Sequence, residues 1–453
     1  MLKRFFTVLS AIAVTALLSA CNDSSSRRPA ATTPVVPASS VVYEVFHASQ
    51  DAPEVEVTAG SDTVKGIDFG EGAFFDLLEG SVDVTVDGVL PGGPATVIGP
   101  ATIAGVDGQR ITVIALNEVT SIEPLVLVDD QPAVDAGEVR VRIVHAASTA
   151  PMVDVYVTDM MTDITTVAPL GTFSFKDTLG PVTVPEGEYR IQVTPAGDPT
   201  AVVYDSGAVG LAGGSDLVIA AIANVATGSA AIELAVLTGS DILRIVDAAS
   251  TANVRVVHAS ADAPAVDVVA NDDFAAPAVP ALAFPQVTGY LELVPGDINV
   301  KVVPAGATTP VVIDADLSLE AATSYTVLAI GELAAIQARV LVDRVRPIAT
   351  EAQLRIVHAS ALAGEVDLYL VAPGTDLESV EPNFTAVSLG GLTGYLSLAA
   401  GDYDVAVTPT GDKTPAIGPA TISLEAGKIY TAAARDEVGG TLPLGLILFD
   451  DFL

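Results

Sequence analysis

The sequence predicts an all-β protein with four tandem Ig-like or transthyretin-like antiparallel β-sandwich domains, preceded by an export signal and a tether. Three observations support this fold class. A string that contains a histidine recurs four times, strand-like segments alternate apolar and polar residues with period two, and Gly and Pro separate these segments. No convincing helical periodicity occurs, so we expect about seven short strands in each domain.

The N-terminal residues predict export and lipid attachment. Lys3 and Arg4 precede an uncharged apolar stretch, Phe5 to Leu18, which is too short for a membrane span and typical of a signal peptide. The following Leu-Ser-Ala-Cys21 resembles the lipobox of bacterial lipoproteins, whose cysteine is acylated and becomes the new N-terminus. Residues 1–20 are therefore expected to be a lipoprotein signal peptide, with Cys21 as the lipidation site. The alternative is an ordinary signal peptide followed by a chance cysteine.

Residues 21–40 are expected to form the lipidated cysteine and a flexible linker, because they are rich in Ser, Thr, Pro and Ala. In the lipoproteins that this segment resembles, an Asp after the cysteine often causes retention at the inner membrane. Asn22 holds that position here, which favours the outer membrane. We expect an exported, lipid-anchored protein of the cell envelope that faces the periplasm or the surface.

The composition excludes several classes of protein. The 453 residues include 56 Asp and Glu against 20 Lys and Arg, and the formal charge of −36 becomes −38 after removal of the two basic residues in the signal peptide. Such an acidic chain is not expected to bind nucleic acid. The single cysteine excludes a disulfide framework and a multi-cysteine metal site. We expect the acidic charge on exposed faces and turns.

The four histidines define an internal repeat. Each follows an alternating strand of the type Val-Arg-Ile-Val and precedes a turn and a second strand, and the spacing of about 100 residues is that of a domain. A shorter echo of the string, Leu243 to Ser250, has Asp247 in place of the histidine. The predicted β-sandwich units are unit 1 (41–130), unit 2 (138–240), unit 3 (252–344) and unit 4 (352–453).

One apolar stretch, Leu217 to Thr238, invites interpretation as a membrane span. Its counterparts in units 3 and 4 carry charged residues at the same stage, among them Glu332 and Arg435. We therefore predict two buried strands rather than a transmembrane helix.

The string around the third histidine, V-R-V-V-H-A-S-A-D-A-P-A-V-D-V, resembles the bacterial DUF4397 family, a domain of unknown function in exported proteins. The resemblance extends over all four units and is strongest in unit 3. Unit 1 departs from the pattern at Glu44 and Glu56, unit 2 lacks the Asp before Ala-Pro, and unit 4 departs at Leu362 and Gly364. The resemblance implies a β-sandwich surface domain and implies neither a reaction nor an agreed ligand.

The repeated polar side chains suggest either chemistry or structure. Strand parity places the histidines inward, where we expect them to hydrogen-bond the backbone of the following loop. An acid follows each histidine nine residues later, but parity places it on the opposite face of its strand, which argues against a His–acid dyad. Metal ligation is disfavoured because no second histidine lies nearby. We interpret these residues as a structural repeat motif: His47, His145, His258, His358, Glu56, Asp154, Asp267 and Asp367.

A catalytic triad is not expected. Ser49, Ser260 and Ser360 lie two residues after a motif histidine, but unit 2 has Ala147 at that position. The chain also lacks the G-x-S-x-G motif that positions a nucleophilic serine. We therefore name no catalytic residue and predict that the protein is not an enzyme.

No cofactor is predicted, and calcium is the one ion that the sequence leaves open. Three acidic pairs in turns or at ends could provide oxygen ligands, although no D-x-D-x-D-G loop is present. The alternative is solvated acidic surface. The pairs are Asp129-Asp130, Asp272-Asp273 and Asp450-Asp451.

These features predict a non-enzymatic envelope protein that is anchored to the membrane by lipid and acts as a surface spacer or protein-interaction scaffold. The partner is expected to be an envelope or extracellular protein or polymer. The alternative is a calcium-dependent adhesion or polysaccharide-binding module, although the chain lacks the Trp that sugar platforms often use.

Overall fold

A computed structural model describes residues 40–226, 228, 230–438 and 444–451. Over these residues the chain forms β-strands and four short 3₁₀ turns, without an α-helix. No helix in the described part of the chain is long and apolar enough to cross a membrane. The predicted signal peptide, Cys21 and the linker up to residue 39 lie outside the described residues. The 3₁₀ turns are Val119–Ser121, Ile164–Thr166, Leu333–Ala335 and Leu377–Ser379.

Unit 1 is a sandwich of two four-stranded sheets. One sheet has the order β4-β1-β7-β8 and the other has the order β3-β2-β5-β6. The strands are β1 (Ser40–His47), β2 (Val55–Ala59), β3 (Asp62–Ile67), β4 (Gly72–Leu78), β5 (Gly80–Gly88), β6 (Ala95–Gly105), β7 (Gln109–Leu116) and β8 (Glu123–Asp130).

Unit 2 repeats this arrangement with one additional strand. Its sheets have the orders β12-β9-β15-β16-β17 and β11-β10-β13-β14. The strands are β9 (Glu138–His145), β10 (Val153–Thr158), β11 (Gly171–Phe173), β12 (Thr178–Pro185), β13 (Gly187–Pro195), β14 (Tyr204–Leu211), β15 (Asp216–Ala223), β16 (Ile232–Leu237) and β17 (Ile242–Ile245).

Unit 3 has the sheet orders β21-β18-β24-β25 and β20-β19-β22-β23. Its strands are β18 (Ala252–His258), β19 (Val266–Ala270), β20 (Val279–Leu282), β21 (Leu291–Leu293), β22 (Gly296–Pro304), β23 (Ile313–Leu319), β24 (Ser324–Ile330) and β25 (Gln337–Asp343).

Unit 4 has the sheet orders β29-β26-β32-β33 and β28-β27-β30-β31. Its strands are β26 (Ala352–His358), β27 (Val366–Val371), β28 (Phe384–Val387), β29 (Leu392–Leu398), β30 (Gly401–Pro409), β31 (Ile417–Leu424), β32 (Ile429–Arg435) and β33 (Gly445–Asp450).

The prediction of an all-β, repeated sandwich fold is confirmed, and the structure adds two details. Each unit has eight strands or more, rather than about seven. Within the described residues, each unit also contains one parallel strand pair, because its first strand lies beside its seventh: β1 with β7, β9 with β15, β18 with β24 and β26 with β32. The strands of the second sheet provide the long crossover that a parallel pair requires.

The apolar stretch Leu217 to Thr238 forms two buried strands, β15 and β16, as predicted. The echo of the repeat string that follows it forms β17, which pairs with β16 as a fifth strand. Unit 2 therefore extends past the predicted boundary at residue 240. Asp247 accepts hydrogen bonds from the backbone N–H groups of Asp205 and Ala249, so the echo closes unit 2 and does not begin a further unit.

Strand alternation separates two apolar faces on the first strand of each unit. In β1, Val41, Tyr43 and Val45 point into the core of unit 1. Phe46 points the other way, into an apolar cluster that also contains Val218 of unit 2. Both sides of the motif-bearing sheet are therefore buried.

The second face joins the units in two pairs. The motif-bearing sheets of units 1 and 2 pack together through residues that include Phe46, Ile114 and Leu237. Those of units 3 and 4 pack through residues that include Leu328 and Phe449. We call these pair 1–2 and pair 3–4. Burial of such apolar surface is the main favourable contribution to their association.

The segment between units 3 and 4 connects the two pairs. The Arg346 guanidinium donates to the backbone carbonyls of Gln50 and Ala52, at 3.3 and 2.7 Å, and pairs with the Asp68 carboxylate. The Ala349 N–H donates to the Asp51 carbonyl at 2.8 Å. This segment therefore lies against the loop that follows the motif strand of unit 1.

Candidate functional site

The motif histidines occupy one equivalent position in all four units, at the end of the first strand. Each ring places Nε2 within hydrogen-bond distance of the backbone carbonyl six residues later. The loop contact that strand parity predicts is therefore present in every unit. The four pairs are His47 with Pro53 (3.0 Å), His145 with Pro151 (3.3 Å), His258 with Pro264 (3.0 Å) and His358 with Gly364 (2.7 Å).

Burial favours the neutral imidazole at His47, His258 and His358. The pKa of His47 falls to about 4, mainly through burial and partly through nearby Arg346, which outweigh the contact with Pro53. Burial also lowers the pKa values of His258 and His358. A neutral ring whose Nε2 faces a carbonyl carries its proton there, and Nδ1 of His47 accepts from the Ser49 N–H at 3.3 Å. The ring thus fixes the loop on both sides.

The motif aspartates fix turns at the opposite face of the second strand. Asp267 accepts the N–H groups of Ala281 and Gly306 at 2.7 and 2.8 Å, and Asp367 accepts those of Ala386 and Gly411 at 2.9 Å each. Asp154 accepts the Thr172 hydroxyl at 2.5 Å and the Gly197 N–H at 2.7 Å. Three of the four motif acids therefore bind backbone donors.

Glu56 is the exception among the motif acids. It pairs with Lys65 at 2.8 Å on the surface of unit 1, where the Glu56 side chain is 29% exposed. The carboxylate that a His–acid dyad would require is therefore engaged elsewhere in each unit.

Two of the three serines that follow a histidine have local partners, whereas the buried Ser49 hydroxyl has none. The Ser260 hydroxyl donates to the Gly331 carbonyl at 2.6 Å, and the Ser360 hydroxyl donates to the Asp436 carboxylate. These contacts connect the motif loop to the end of the seventh strand. The serines, histidines and aspartates of the motif therefore do not form a Ser–His–Asp triad in units 3 and 4.

A second set of repeated contacts was not predicted from the sequence. Three residues before each histidine, a charged side chain points away from its own core and towards the adjacent unit. In unit 2 this residue is Arg142, which forms a bidentate pair with Asp129 of unit 1, with Nε 2.7 Å from the carboxylate. Both side chains are largely buried, at 14% and 10% exposure. The contact therefore lies within pair 1–2.

The equivalent arginines of pair 3–4 form one network. Arg355 of unit 4 donates to Asp343 of unit 3 at 2.7 Å, with both side chains 1% exposed. Arg255 of unit 3 pairs with Asp450 of unit 4. The guanidinium of Arg255 also stacks on the ring of Phe449, at 4.6 Å from its centroid. Each arginine is thus neutralised by an aspartate that ends the last strand of the partner unit.

In unit 1 the equivalent residue is Glu44, whose charge is opposite. It accepts from Arg110 at 2.5 and 3.0 Å, and both side chains are almost fully buried. Arg110 also donates to the backbone carbonyls of Asp216 and Leu237 in unit 2. Burial raises the pKa of Glu44 against the lowering effect of Arg110. Glu44 thus contributes to the contact between units 1 and 2 by holding Arg110.

The acidic pairs that suggested calcium have other partners. Asp129 and Asp450 neutralise arginines of the adjacent unit, Asp272 pairs with Lys301 at 2.5 Å, and Asp451 pairs with Lys428 at 3.3 Å. Within the described ranges, no group of three or more His, Cys, Asp or Glu residues is arranged to hold a metal ion. Asp129 and Asp450 therefore differ from the solvated acidic surface that was the alternative interpretation.

A polar cleft of about 510 Å³ lies where units 1, 2 and 3 meet. Asp68 of unit 1 pairs there with Arg344, at 3.3 Å, and with Arg346. Glu233 pairs with Arg244 of β17, and burial raises the pKa of Glu233. Five charged groups of the cleft thus pair with one another, which supports a role as a joint between units.

The sequence contained a signal for these contacts, in the form of arginine at alternating positions of the motif strand and aspartate at the end of the last strand. An amphipathic strand on a solvated face has the same pattern. A strand face that packs on another unit and a strand face that meets solvent can therefore have the same sequence pattern. The sequence of one unit does not tell which of the two applies.

Together, the fold and the contacts define a protein of tandem β-sandwich repeats whose recurring string is used for packing within and between units. Family comparison matches the domain of unknown function DUF4397 at residues 43–156, 252–369 and 372–453, so the chain belongs to this family. The matches include all four motif histidines, but residues 157–251 of unit 2 lie outside them. The expected resemblance in unit 2 is thereby limited to its first two strands.

Two further comparisons give little more. No curated protein matches the chain. A solved structure, the Bacillus anthracis TIE protein, is 11% identical over 89% of this chain and 76% of that chain, with a TM-score of 0.16. A likeness this distant does not bear on function.

Proposed function

We propose that this chain is a non-enzymatic, lipid-anchored protein of the cell envelope, in which the four units form a surface scaffold or spacer for protein interaction. The observation that carries the proposal is the engagement of the repeated polar side chains. The motif histidines and three of the motif aspartates hold backbone groups of their own units, and the motif arginines hold adjacent units.

The hydrogen bonds of the motif histidines and the lowered pKa of His47 support a structural role. A general base must reach the proton that it removes and must have a pKa suited to the working pH. The motif histidines face loop carbonyls, and burial moves the pKa of His47 to about 4. The motif is therefore better suited to fixing the geometry of loops and turns than to proton transfer.

The anchor and the location come from the N-terminal sequence. Cys21 would carry several acyl chains, which together give stable membrane attachment where one chain gives marginal binding. Asn22 favours the outer membrane, and the linker would hold the units away from the bilayer. A partner would be an envelope or extracellular protein or polymer, because the strong negative charge disfavours nucleic acid.

Membrane fractionation of the full-length protein in its host tests the anchoring. Wild type is expected in the outer-membrane fraction, with acyl label incorporated, and Cys21→Ala is expected in the soluble fraction without label. Ser24→Ala is the matched control and should behave as wild type. Asn22→Asp should move the protein towards the inner membrane. A Cys21→Ala variant that remains in the membrane fraction would overturn the anchoring proposal.

In-cell cross-linking of the anchored protein tests the scaffold role. A defined set of envelope partners is expected for wild type and for His258→Asn, because this histidine only holds a loop of unit 3. A folded His258→Asn protein that keeps its cross-links but loses a measurable turnover of an envelope component would refute the non-enzymatic assignment. The absence of any specific cross-link in wild type would refute the scaffold role.

A further inference from the structure

Unit 2 contains a large apolar cavity between its two sheets. Its volume is about 300 Å³, whereas the cavity at the same place in unit 3 measures about 60 Å³. The lining is aliphatic apart from the ring of Tyr189, and it comes from both sheets. The lining residues include Val157, Ile191 and Ala221. Protein interiors rarely leave gaps larger than a water molecule, so a cavity of this size needs a structural reason.

Unit 2 differs from the other units in lacking a tyrosine at either of two equivalent positions of its core. The other units each bury a tyrosine four residues before the motif histidine or four residues before its partner on the seventh strand: Tyr43, Tyr325 and Tyr430. At the two corresponding positions unit 2 has Val141, which lines the cavity, and Leu217, which packs in the same core. These aliphatic side chains are smaller than a tyrosine, and the remaining volume is the cavity.

The cavity also has an opening at the edge of the sandwich. Strand β11 pairs with β10 only from Val153 to Val155, so the rest of that edge of β10 is not covered by β11. In unit 1 the corresponding strand β3 pairs along the whole of β2. The exposed lining residues Leu170 and Val182, at 46% and 37% exposure, mark the opening. A ligand would enter there without disturbing the hydrogen bonds of the central strands.

We propose that this cavity binds the hydrocarbon chain of a lipid. The volume is at the lower end of the range for ligand sites, and apolar cavities of about half this size in other proteins remain dry and take up apolar molecules. No charged side chain lines the cavity, so a polar ligand would lose its hydration without compensation. The space between two packed sheets is narrow, which suits a flexible chain, while the opening leaves a polar headgroup in water.

Unit 2 also differs from the other units in sequence and topology. Most of it, residues 157–251, lies outside the family matches, and it alone among the described units carries a fifth strand in one sheet. The cavity thus belongs to the unit that departs most from the shared pattern. This agrees with a function that the other units do not share.

Titration of the delipidated, mature protein with palmitate tests the proposal. Binding is measured by calorimetry and by native mass spectrometry. One palmitate per chain is expected, with an increase in melting temperature. Ala221→Leu should weaken binding by about tenfold or more, because it fills the cavity. Ala329→Leu is the matched control, since Ala329 has the same register to His258 as Ala221 has to His145. This control should bind palmitate as wild type does.

A second variant protects the test against misfolding. Val141→Tyr introduces at the cavity the residue that unit 1 has as Tyr43, and it should also abolish palmitate binding while it keeps or raises the melting temperature. The proposal fails if delipidated wild type and Cys21→Ala both fail to bind palmitate. It also fails if folded Ala221→Leu and Val141→Tyr bind as wild type does, or if Ala329→Leu loses binding equally.

The source of the chain can be distinguished in the same experiment. Palmitate that binds wild type and Cys21→Ala equally indicates a free lipid. Palmitate that binds only Cys21→Ala indicates that the acyl chain of the proposed anchor occupies the cavity of wild type. The second result rests on the proposed lipidation, which the fractionation experiment establishes independently.

Discussion

Pair 1–2 and pair 3–4 bury the same face of the same repeated strand, but they stabilise it differently. In pair 1–2 the motif arginine Arg142 lies beside an apolar cluster that includes Phe46 and Leu237, and its pair with Asp129 keeps 14% and 10% exposure. The almost fully buried arginine of this pair is Arg110, which is not a motif residue. In pair 3–4 an arginine network lies inside the contact, where Arg355 and Asp343 are each 1% exposed.

One neighbouring residue accounts for much of this difference. The residue beside the charged position on the seventh strand is a threonine in units 3 and 4, where Thr326 and Thr431 hydrogen-bond the arginines. In unit 2 it is Val218, which joins the apolar cluster instead. The comparison teaches that the motif arginine is almost fully buried in units 3 and 4, where a neighbouring hydroxyl and an acid accept its hydrogen bonds, and is more exposed in unit 2, where a valine lies beside it.

The largest expected effect comes from breaking the network of pair 3–4. Arg355→Ala leaves Asp343 buried with fewer partners and should lower the free energy of unfolding by about 3–5 kcal/mol, measured in urea. Arg339→Ala, which removes an exposed arginine of the same pair, is the control and should change it by less than about 0.5 kcal/mol. Equal effects of the two variants would show that the network does not stabilise pair 3–4.

The next effect is a dependence of the free energy of unfolding on pH, caused by His47. Arg346, in the segment between units 3 and 4, lies near this histidine. Its pKa is about 4 in the folded protein against 6.5 as the reference for the unfolded chain, so the folded state binds fewer protons between these values. The contribution of the neutral His47 to the free energy of unfolding is fully present above about pH 6.5. It should decrease by about 3 kcal/mol as the pH falls to about 4.

Unfolding of wild type and His47→Gln at several pH values measures this effect. The variant should lose less stability over the same range, because it has no proton to bind at this position. Parallel pH profiles of the two proteins would contradict the assignment.

Pair 1–2 is expected to tolerate loss of its buried arginine better. Arg110→Ala should cost about 2 kcal/mol at neutral pH, because Glu44, whose pKa burial already raises, can bind a proton and lose its charge. The deficit should therefore shrink as the pH decreases. Urea unfolding at two pH values tests this, and a deficit that grows towards low pH would contradict it.

The smallest expected effect is the difference in stability loss between variants of two motif acids, Asp267 and Glu56. Asp267→Ala leaves two partly buried N–H groups without their acceptor and should destabilise the protein by about 1–2 kcal/mol. Glu56→Ala removes a surface ion pair and should cost less than about 0.5 kcal/mol. Thermal melting of the two variants gives the comparison, and a larger loss for Glu56→Ala would reverse the account of the motif.

The sequence was sufficient to predict the parts of the fold that depend on local pattern. Alternation along Val139 to His145 predicts a strand and its inward face, and the apolar stretch after Leu217 predicts two buried strands. The histidine contact is also local, since the ring and its carbonyl partner lie six residues apart. These features are decided by residues that are near one another in the chain.

The contacts between units could not be predicted in the same way. The pattern that contains Arg142 and Asp129 does not identify them as partners, because an amphipathic strand on a solvated face has the same pattern. The cavity of unit 2 also escaped prediction, since it depends on a residue that is missing from two strands far apart in sequence. Comparison of Val141 and Leu217 with the tyrosines of the other units would have revealed it.

The central claim is that the motif arginine of units 2, 3 and 4 binds an aspartate in the last two residues of the final strand of the partner unit. A double-mutant cycle with Arg142→Ala and Asp129→Ala in the mature protein, measured by urea unfolding, tests it most directly. The account predicts a coupling free energy of about 1–3 kcal/mol, compared with less than about 0.5 kcal/mol for a cycle on Lys65 and Glu56. Additive effects of Arg142→Ala and Asp129→Ala would contradict it, because residues of two units that do not touch have no coupling to lose.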